Sequence, residues 1–233
     1  MKQTQTRALV LSGGGTSGGA WMAGYISALR GQGVDLGDAD LIIGTSAGAR
    51  TAAQLATGTL DEAVQRYCRG DVPAVELHAT LPEFMAASAV DAETGHRIAF
   101  GADSGAGLLD AVAASGALPG MFPLVTIDGR RYADGGTHSL YNADLAAGHD
   151  VVIVLTPLPF NDYFRATLDA EVAALGTAAV HVLTADQESL AGIGPDAAAA
   201  GAVPAAADAG TAQARRDIAR LRAIWPARAG RAV

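Results

Sequence analysis

The pentapeptide Gly44-Thr45-Ser46-Ala47-Gly48 follows the apolar run Leu41-Ile42-Ile43 and opens an alanine-rich, helix-forming segment, which constrains the local chain to strand, sharp turn and helix. Glycines two positions either side of Ser46 remove the side chains that would collide in so tight a turn. The serine is thereby pushed out at a helix N-terminus, where free N–H groups favour developing negative charge. A nucleophile elbow for acyl transfer and a plain tight turn both satisfy the pattern, so neighbouring segments must choose between them.

A second unit of the same kind precedes it. Ala8-Leu9-Val10-Leu11 has buried-strand character, residues 12–19 read as a loop, and a helix is expected over 20–30, with Trp21, Tyr25, Ala28 and Leu29 on its core face and Gly31 and Gly33 ending it. Residues 47–57 make the second helix, stopped by Gly58. Two strand–helix units in succession imply parallel pairing with right-handed crossovers. Further on, 60–68 reads as helix, 84–90 and 96–100 as strands around a turn, and 108–114 as helix. Residues 124–127 and 130–132 flank Asp128-Gly129, a strong two-residue hairpin signal. Residues 151–156 and 180–184 have the character of buried parallel strands. The 192–210 segment, mainly Ala, Gly and Pro, reads as a flexible linker, and 211–225 as a closing helix on the sheet or a basic helix at a membrane surface.

Composition narrows the class. Half of the 233 residues are hydrophobic and the formal charge is −8, with a pI near 5.0. This suits a folded, enzyme-like chain of one domain and opposes attraction to nucleic acid or anionic bilayers, which need a positive field. Cys68 is the only cysteine, so no intramolecular disulfide exists; a small buried hydrophobe is its expected role and the cytoplasm the expected location. The longest apolar stretch, 151–160, holds two prolines and is about half the ~20 residues a spanning helix needs. Membrane contact is therefore expected to be peripheral at most.

Two more segments bear on chemistry. Gly13-Gly14-Gly15-Thr16-Ser17-Gly18 satisfies the G-x-G-x-x-G pattern of a dinucleotide-binding loop, with Asp35, Asp38 or Asp40 near the spacing of a ribose-binding acid. The same glycines leave backbone amides bare for one small oxyanion, as a tetrahedral acyl intermediate requires. A serine hydroxyl also needs a base. The candidates are the histidines His78, His96, His138, His149 and His181, none in a metal-ligand spacing, and Asp134 in Asp134-Gly135-Gly136. Asp128-Gly129 already supplies the hairpin turn, which leaves Asp134 without a structural task. A Ser-His-Asp arrangement using His138, His149 or His181, a Ser-Asp pair and a dinucleotide-binding module all remain open on these residues.

In this order, the glycine loop 13–18, the elbow 44–48, the stretch Ala114-Ser115-Gly116-Ala117-Leu118-Pro119-Gly120-Met121-Phe122-Pro123 and Asp134-Gly135-Gly136 resemble the patatin-like phospholipase family over most of residues 7–157. The resemblance implies a three-layer α/β/α fold with a mostly parallel sheet, and a serine acyl hydrolase without catalytic histidine or cofactor. It further implies Ser46 as nucleophile, Asp134 as base, the amides of Gly13, Gly14 and Gly15 as oxyanion hole, and a lipid or small ester as substrate. Two departures stand out. Ser17 occupies a place where many members carry Arg or Lys, and only 88 residues separate Ser46 from Asp134, which implies a thin pocket wall, an open site, and a catalytically silent acyl-binding descendant as a further alternative.

Overall fold

The computed structural model describes residues 5–73, 80–158 and 161–228; His78 and the end of the 151–160 apolar run lie outside them. The elements in chain order are β1 Arg7–Leu11, α1 Gly15–Arg30, β2 Leu41–Thr45, α2 Ala47–Ala56, α3 Leu60–Cys68, β3 Met85–Asp91, β4 Arg97–Phe100, α4 Leu108–Ser115, β5 Val125–Ile127, β6 Arg130–Asp134, β7 Val151–Thr156, α5 Asp162–Ala174, β8 Ala179–Thr184, α6 Gln187–Ile193 and α7 Val203–Ile224. One sheet runs in the order β5-β6-β3-β2-β1-β7-β8, with β4 also on β3. The pairs β3–β2, β2–β1, β1–β7 and β7–β8 are parallel, whereas β4, β5 and β6 form an antiparallel margin.

Alternation along β1 separates the layers, because successive strand side chains point to opposite faces. Leu9 and Leu11 join the core under α1, α2 and α7, which includes Trp21, Tyr25, Leu29 and Ala207. Ala8 and Val10 join the opposite core with Val152, Val154, Leu168 and Leu175, beneath α5. The result is the expected three-layer α/β/α sandwich.

Close helix packing explains why a stretch that reads as linker is ordered. A Cβ on Gly24 of α1 would stand 2.3 Å from the Ala207 carbonyl oxygen, and one on Gly210 of α7 would stand 2.1 Å from that of Trp21. The two backbones touch there, and Ala206, Ala207, Gly210, Ala214 and Leu221 are buried along the contact. The expected linker at 192–210 therefore gives way to a helix that starts at Val203, eight residues before the expected start at 211. Small residues that show no apolar period alone become a packing face once α1 is present.

Three other expectations change. α1 starts at Gly15, so the loop after β1 shrinks to residues 12–14. No apolar period announces α5 and α6; the buried residue of α5 is Leu168. Cys68 is exposed at the end of α3 rather than buried, its thiol held above the usual range by partial burial and by Asp208.

Candidate active site

Backbone strain marks the elbow. Ser46 has φ 55° and ψ −117°, a region that L side chains rarely adopt and that costs about 1–3 kcal/mol. Contacts on both sides hold it there. A Cβ on Gly44 would come within 2.3 Å of the Ala49 Cα, and one on Gly48 within 2.0 Å of the Leu11 carbonyl oxygen, so α2 can begin this close to β1 and β2 only with glycine at both places. The Ser46 amide donates to the Ser115 hydroxyl at 2.9 Å, tying the elbow to the end of α4.

β3 brings the distant carboxylate to this serine. Its residues 85–88 pair with β2 and its residues 89–91 with β6, while β4 covers 87–90 on the opposite edge. Because β4 overlaps both partners, β2 and β6 share one edge of β3 and meet end to end. Thr45 pairs with Ser88 and Asp134 with Ala89, the next residue along. Thus a separation of 88 residues in sequence closes to neighbouring rungs of one ladder.

Asp134 is 2% exposed. Its Oδ1 accepts the Gly136 amide at 2.6 Å, and its own amide donates to the Ala117 carbonyl at 3.0 Å. Burial pushes the carboxyl pKa up; the Gly136 amide and, less strongly, the nearby Ser46 side chain pull the other way. Asp134 does have a structural task after all, as the cap of a short 3-10 turn at Gly135–Thr137. Gly135 is required beside it, since a Cβ there would lie 2.2 Å from the Ser88 hydroxyl oxygen.

The glycine loop lies against the same serine. A Cβ placed on Gly13 would be 3.8 Å from that of Ser46. The Gly13 amide, however, is donated to the Leu140 carbonyl at 2.8 Å, so one of the three amides expected to be bare is engaged. Among the described residues, the amides of Gly14 and Gly15 have no protein acceptor; they sit at the start of α1, where the helix dipole adds positive potential. Gly14 packs on Pro157 and Gly15 has φ +63°, with the Ala197 carbonyl oxygen 2.5 Å from any added Cβ. Ser17, where a basic residue was the usual expectation, is buried and binds the Ile193 and Ala197 carbonyls through its hydroxyl at 3.1 and 2.9 Å. It pins the segment after α6 over the start of α1 instead of supplying charge.

Beneath the site lies Asn142, fully buried with φ 53°. Its Nδ2 reaches the Ser139 carbonyl at 2.6 Å, the Thr45 hydroxyl at 3.0 Å and the Ser88 hydroxyl at 3.2 Å, while its Oδ1 accepts from Arg97 at 3.3 Å. It thus touches the residue before Ser46, the β3 rung opposite it, and the loop that follows Asp134. Sequence reasoning did not single out Asn142, and an isolated Asn carries no spacing signal. Ser115 lay inside a recognised stretch without an assigned role.

The other candidates lie elsewhere. Asp35, Asp38 and Asp40 precede β2, at the opposite end of the sheet from the glycine loop. Asp35 caps its own turn by accepting the Gly37 amide at 2.8 Å. Asp38 pairs with Arg7 at 3.2 Å, and Asp40 pairs with Arg228 at 2.6 Å, which lowers its pKa to about 2. A ribose-binding acid would be needed at the other end of β2. His96 and His138 are exposed, His149 Nδ1 contacts the Ala146 carbonyl at 3.0 Å, and His181 stands on edge strand β8. Among the described residues no histidine shares a hydrogen bond with Ser46 or Asp134, and no group of three or more His, Cys, Asp or Glu could hold a metal.

An open cleft of about 480 Å³ lies beside α4, lined by Val72, Leu109, Val112, Ala117 and Phe122, with Arg50 as its charged group. Of the residues that line it, Ala117 also touches the site, its carbonyl accepting the Asp134 amide.

The patatin-like phospholipase family model matches residues 9–80 and 71–147, well over half of the chain. The chain belongs to the patatin-like phospholipase family. It is an enzyme of that class, a lipid ester hydrolase. Among solved structures, VipD from Legionella pneumophila has 13% sequence identity and a TM-score of 0.45, with 92% of this chain and 67% of that chain covered. No curated protein matches. Among the described residues of this patatin-like chain, no helix is long and apolar enough to cross a membrane.

Proposed function

We propose that this patatin-like enzyme cleaves the carboxylic ester of a lipid or phospholipid through an acyl-enzyme on Ser46, with Asp134 as general base and the amides of Gly14 and Gly15 as oxyanion donors. The observation that carries the reading is that β3 sets Thr45, the residue before Ser46, and the buried Asp134 against adjacent residues, so that serine and carboxyl stand side by side, with a carboxyl pKa that burial raises. An ordinary aspartate, with a pKa near 3.9, is a feeble base for an alcohol; one that ionises less readily takes a proton more readily.

As the Ser46 oxygen attacks the ester carbonyl, its proton passes to Asp134. The carbonyl oxygen becomes an oxyanion facing the first amides of α1, a kind of donor worth about 10²–10³ in rate elsewhere. Collapse of the intermediate expels the alcohol, which takes the proton from Asp134. Water then enters, gives a proton to the same carboxylate and attacks the acyl group, releasing fatty acid and restoring the Ser46 hydroxyl. The cleft beside α4 offers apolar surface for the acyl chain, and Arg50, in no ion pair among the described residues, offers a cation for a phosphodiester.

The same reading takes residues 1–233 as one patatin-like domain, supported by one sheet that joins the eight strands of the described residues. It also takes the cytoplasm as the place of action, supported by the lone, unpaired Cys68. Ser46→Ala should abolish both hydrolysis of a chromogenic acyl ester and labelling by a fluorophosphonate. Undiminished turnover in that variant refutes the reading.

A further inference from the structure

We propose that the exposed apolar turn at 118–123 seats the enzyme on the surface of a zwitterionic phospholipid layer, with the mouth of the active site facing the lipid. The proposal rests on the lipid-hydrolase reading of the Ser46 site, but its binding readout does not depend on catalysis.

Single exposed apolar side chains are common on protein surfaces and mean little. Here three large ones fall within five residues: Leu118 is 39% exposed, Met121 56% and Phe122 57%. Pro119 and Pro123 bracket Met121 and Phe122, and residues 111–127 contain no charged side chain, Asp110 and Asp128 standing at either end. The turn is shaped rather than slack. Gly120 has φ +86°, and the Met121 and Phe122 amides both return to the Leu118 carbonyl, at 3.0 and 2.9 Å.

The place of this turn is what names its partner. Ser115 holds the Ser46 amide and the Ala117 carbonyl holds the Asp134 amide, so the apolar turn begins one residue beyond the contacts that fix the site. Phe122 and Pro123 also line the cleft beside α4, which therefore opens onto the same apolar surface. A lipid molecule leaving a layer pressed on this turn would enter the cleft without crossing water. A protein interface would surround such an apolar centre with a polar rim and about one hydrogen bond per 100–200 Å², whereas residues 111–127 carry no charged side chain and the turn leads directly into the cleft. With a net charge of −8, the chain is repelled by anionic layers, which selects zwitterionic lipid.

The test uses Leu118→Ser and Met121→Ser, singly and combined; neither residue lines the cleft. Wild-type protein and Ser46→Ala should both co-sediment with phosphatidylcholine vesicles, and the double variant should bind about tenfold more weakly or worse, since each loses buried apolar area in the layer. Hydrolysis of vesicle lipid should fall in step, while turnover of a short water-soluble ester and the melting temperature stay at wild-type values. Wild-type vesicle affinity in the double variant overturns the proposal. So does a parallel loss of soluble-ester turnover, or failure of the wild type to bind vesicles. Failure of the Ser46 reading shows separately, as an active Ser46→Ala.

Discussion

Removing the Asn142 side chain should both destabilise the protein and loosen its catalytic pair. Its amide group donates to the Ser139 carbonyl and the Thr45 hydroxyl at 2.6 and 3.0 Å, and its oxygen accepts from Arg97 at 3.3 Å. At about 1 kcal/mol net for each buried hydrogen bond, Asn142→Ala loses about 3 kcal/mol. The backbone at φ 53° tolerates asparagine better than alanine, which adds about 1 kcal/mol. A loss near 4 kcal/mol in a chain of this size lowers the melting temperature by about 8–16 °C. Asn142→Gly separates the two effects: glycine adopts the positive φ freely, so it should lose the hydrogen bonds but recover the strain. Thermal unfolding by circular dichroism measures both variants. Because Thr45 precedes Ser46 and the 3-10 turn follows Asp134, kcat on a soluble ester should fall about tenfold or more at a temperature where the variant is folded, with a smaller change in KM. An Asn142→Ala protein within about 1 kcal/mol of wild type and with unchanged kcat would refute this account of the network.

Asp134→Asn should be inactive yet at neutral pH at least as stable as the parent. Burial raises the folded-state pKa above the ordinary 3.8, so the native state keeps a proton that the unfolded chain has lost; the ionised carboxylate therefore costs stability as pH rises past 3.8, a cost that asparagine removes and that vanishes at lower pH. Denaturant titrations at pH 7 and near pH 3 check the sign, and in the wild type kcat/KM should fall on the acid side with a midpoint above 3.8. Gly48→Ala should fail to fold or lose more than about 4 kcal/mol, because its Cβ would meet the Leu11 and Ser12 carbonyl oxygens at 2.0 and 2.6 Å; soluble expression with a wild-type melting curve would contradict the close approach.

Legibility differed along the chain for physical reasons. The strand β2, its elbow and helix α2 were readable because each residue's demand is local: apolar side chains for a strand buried on both faces, glycines for the turn, alanine for the helix. The hairpins β3–β4 and β5–β6 were readable for the same reason, each turn being set by two or three residues. The start of α7, 203–210, was not, because Ala206, Ala207 and Gly210 have no amphipathic contrast of their own and acquire a role only against Trp21 and Gly24 of α1, whereas the helix from 211 onward was read from its apolar spacing. The exposure of Cys68 depends likewise on what packs nearby, not on the residue.

The amino-acid sequence by itself determined which groups are available: a serine that must sit on a sharp turn, glycines that leave amides uncovered, and a carboxylate followed by two glycines. The tertiary structure decided which of them meet. β3 aligns the ends of β2 and β6 on one edge, placing Thr45 and Asp134 against adjacent residues, and Leu140 occupies the Gly13 amide while those of Gly14 and Gly15 stay uncovered. Asn142 and Ser115 entered only at this level. A hydrogen bond between residues 97 apart leaves no local trace in either segment; it exists only once the sheet has brought both ends together.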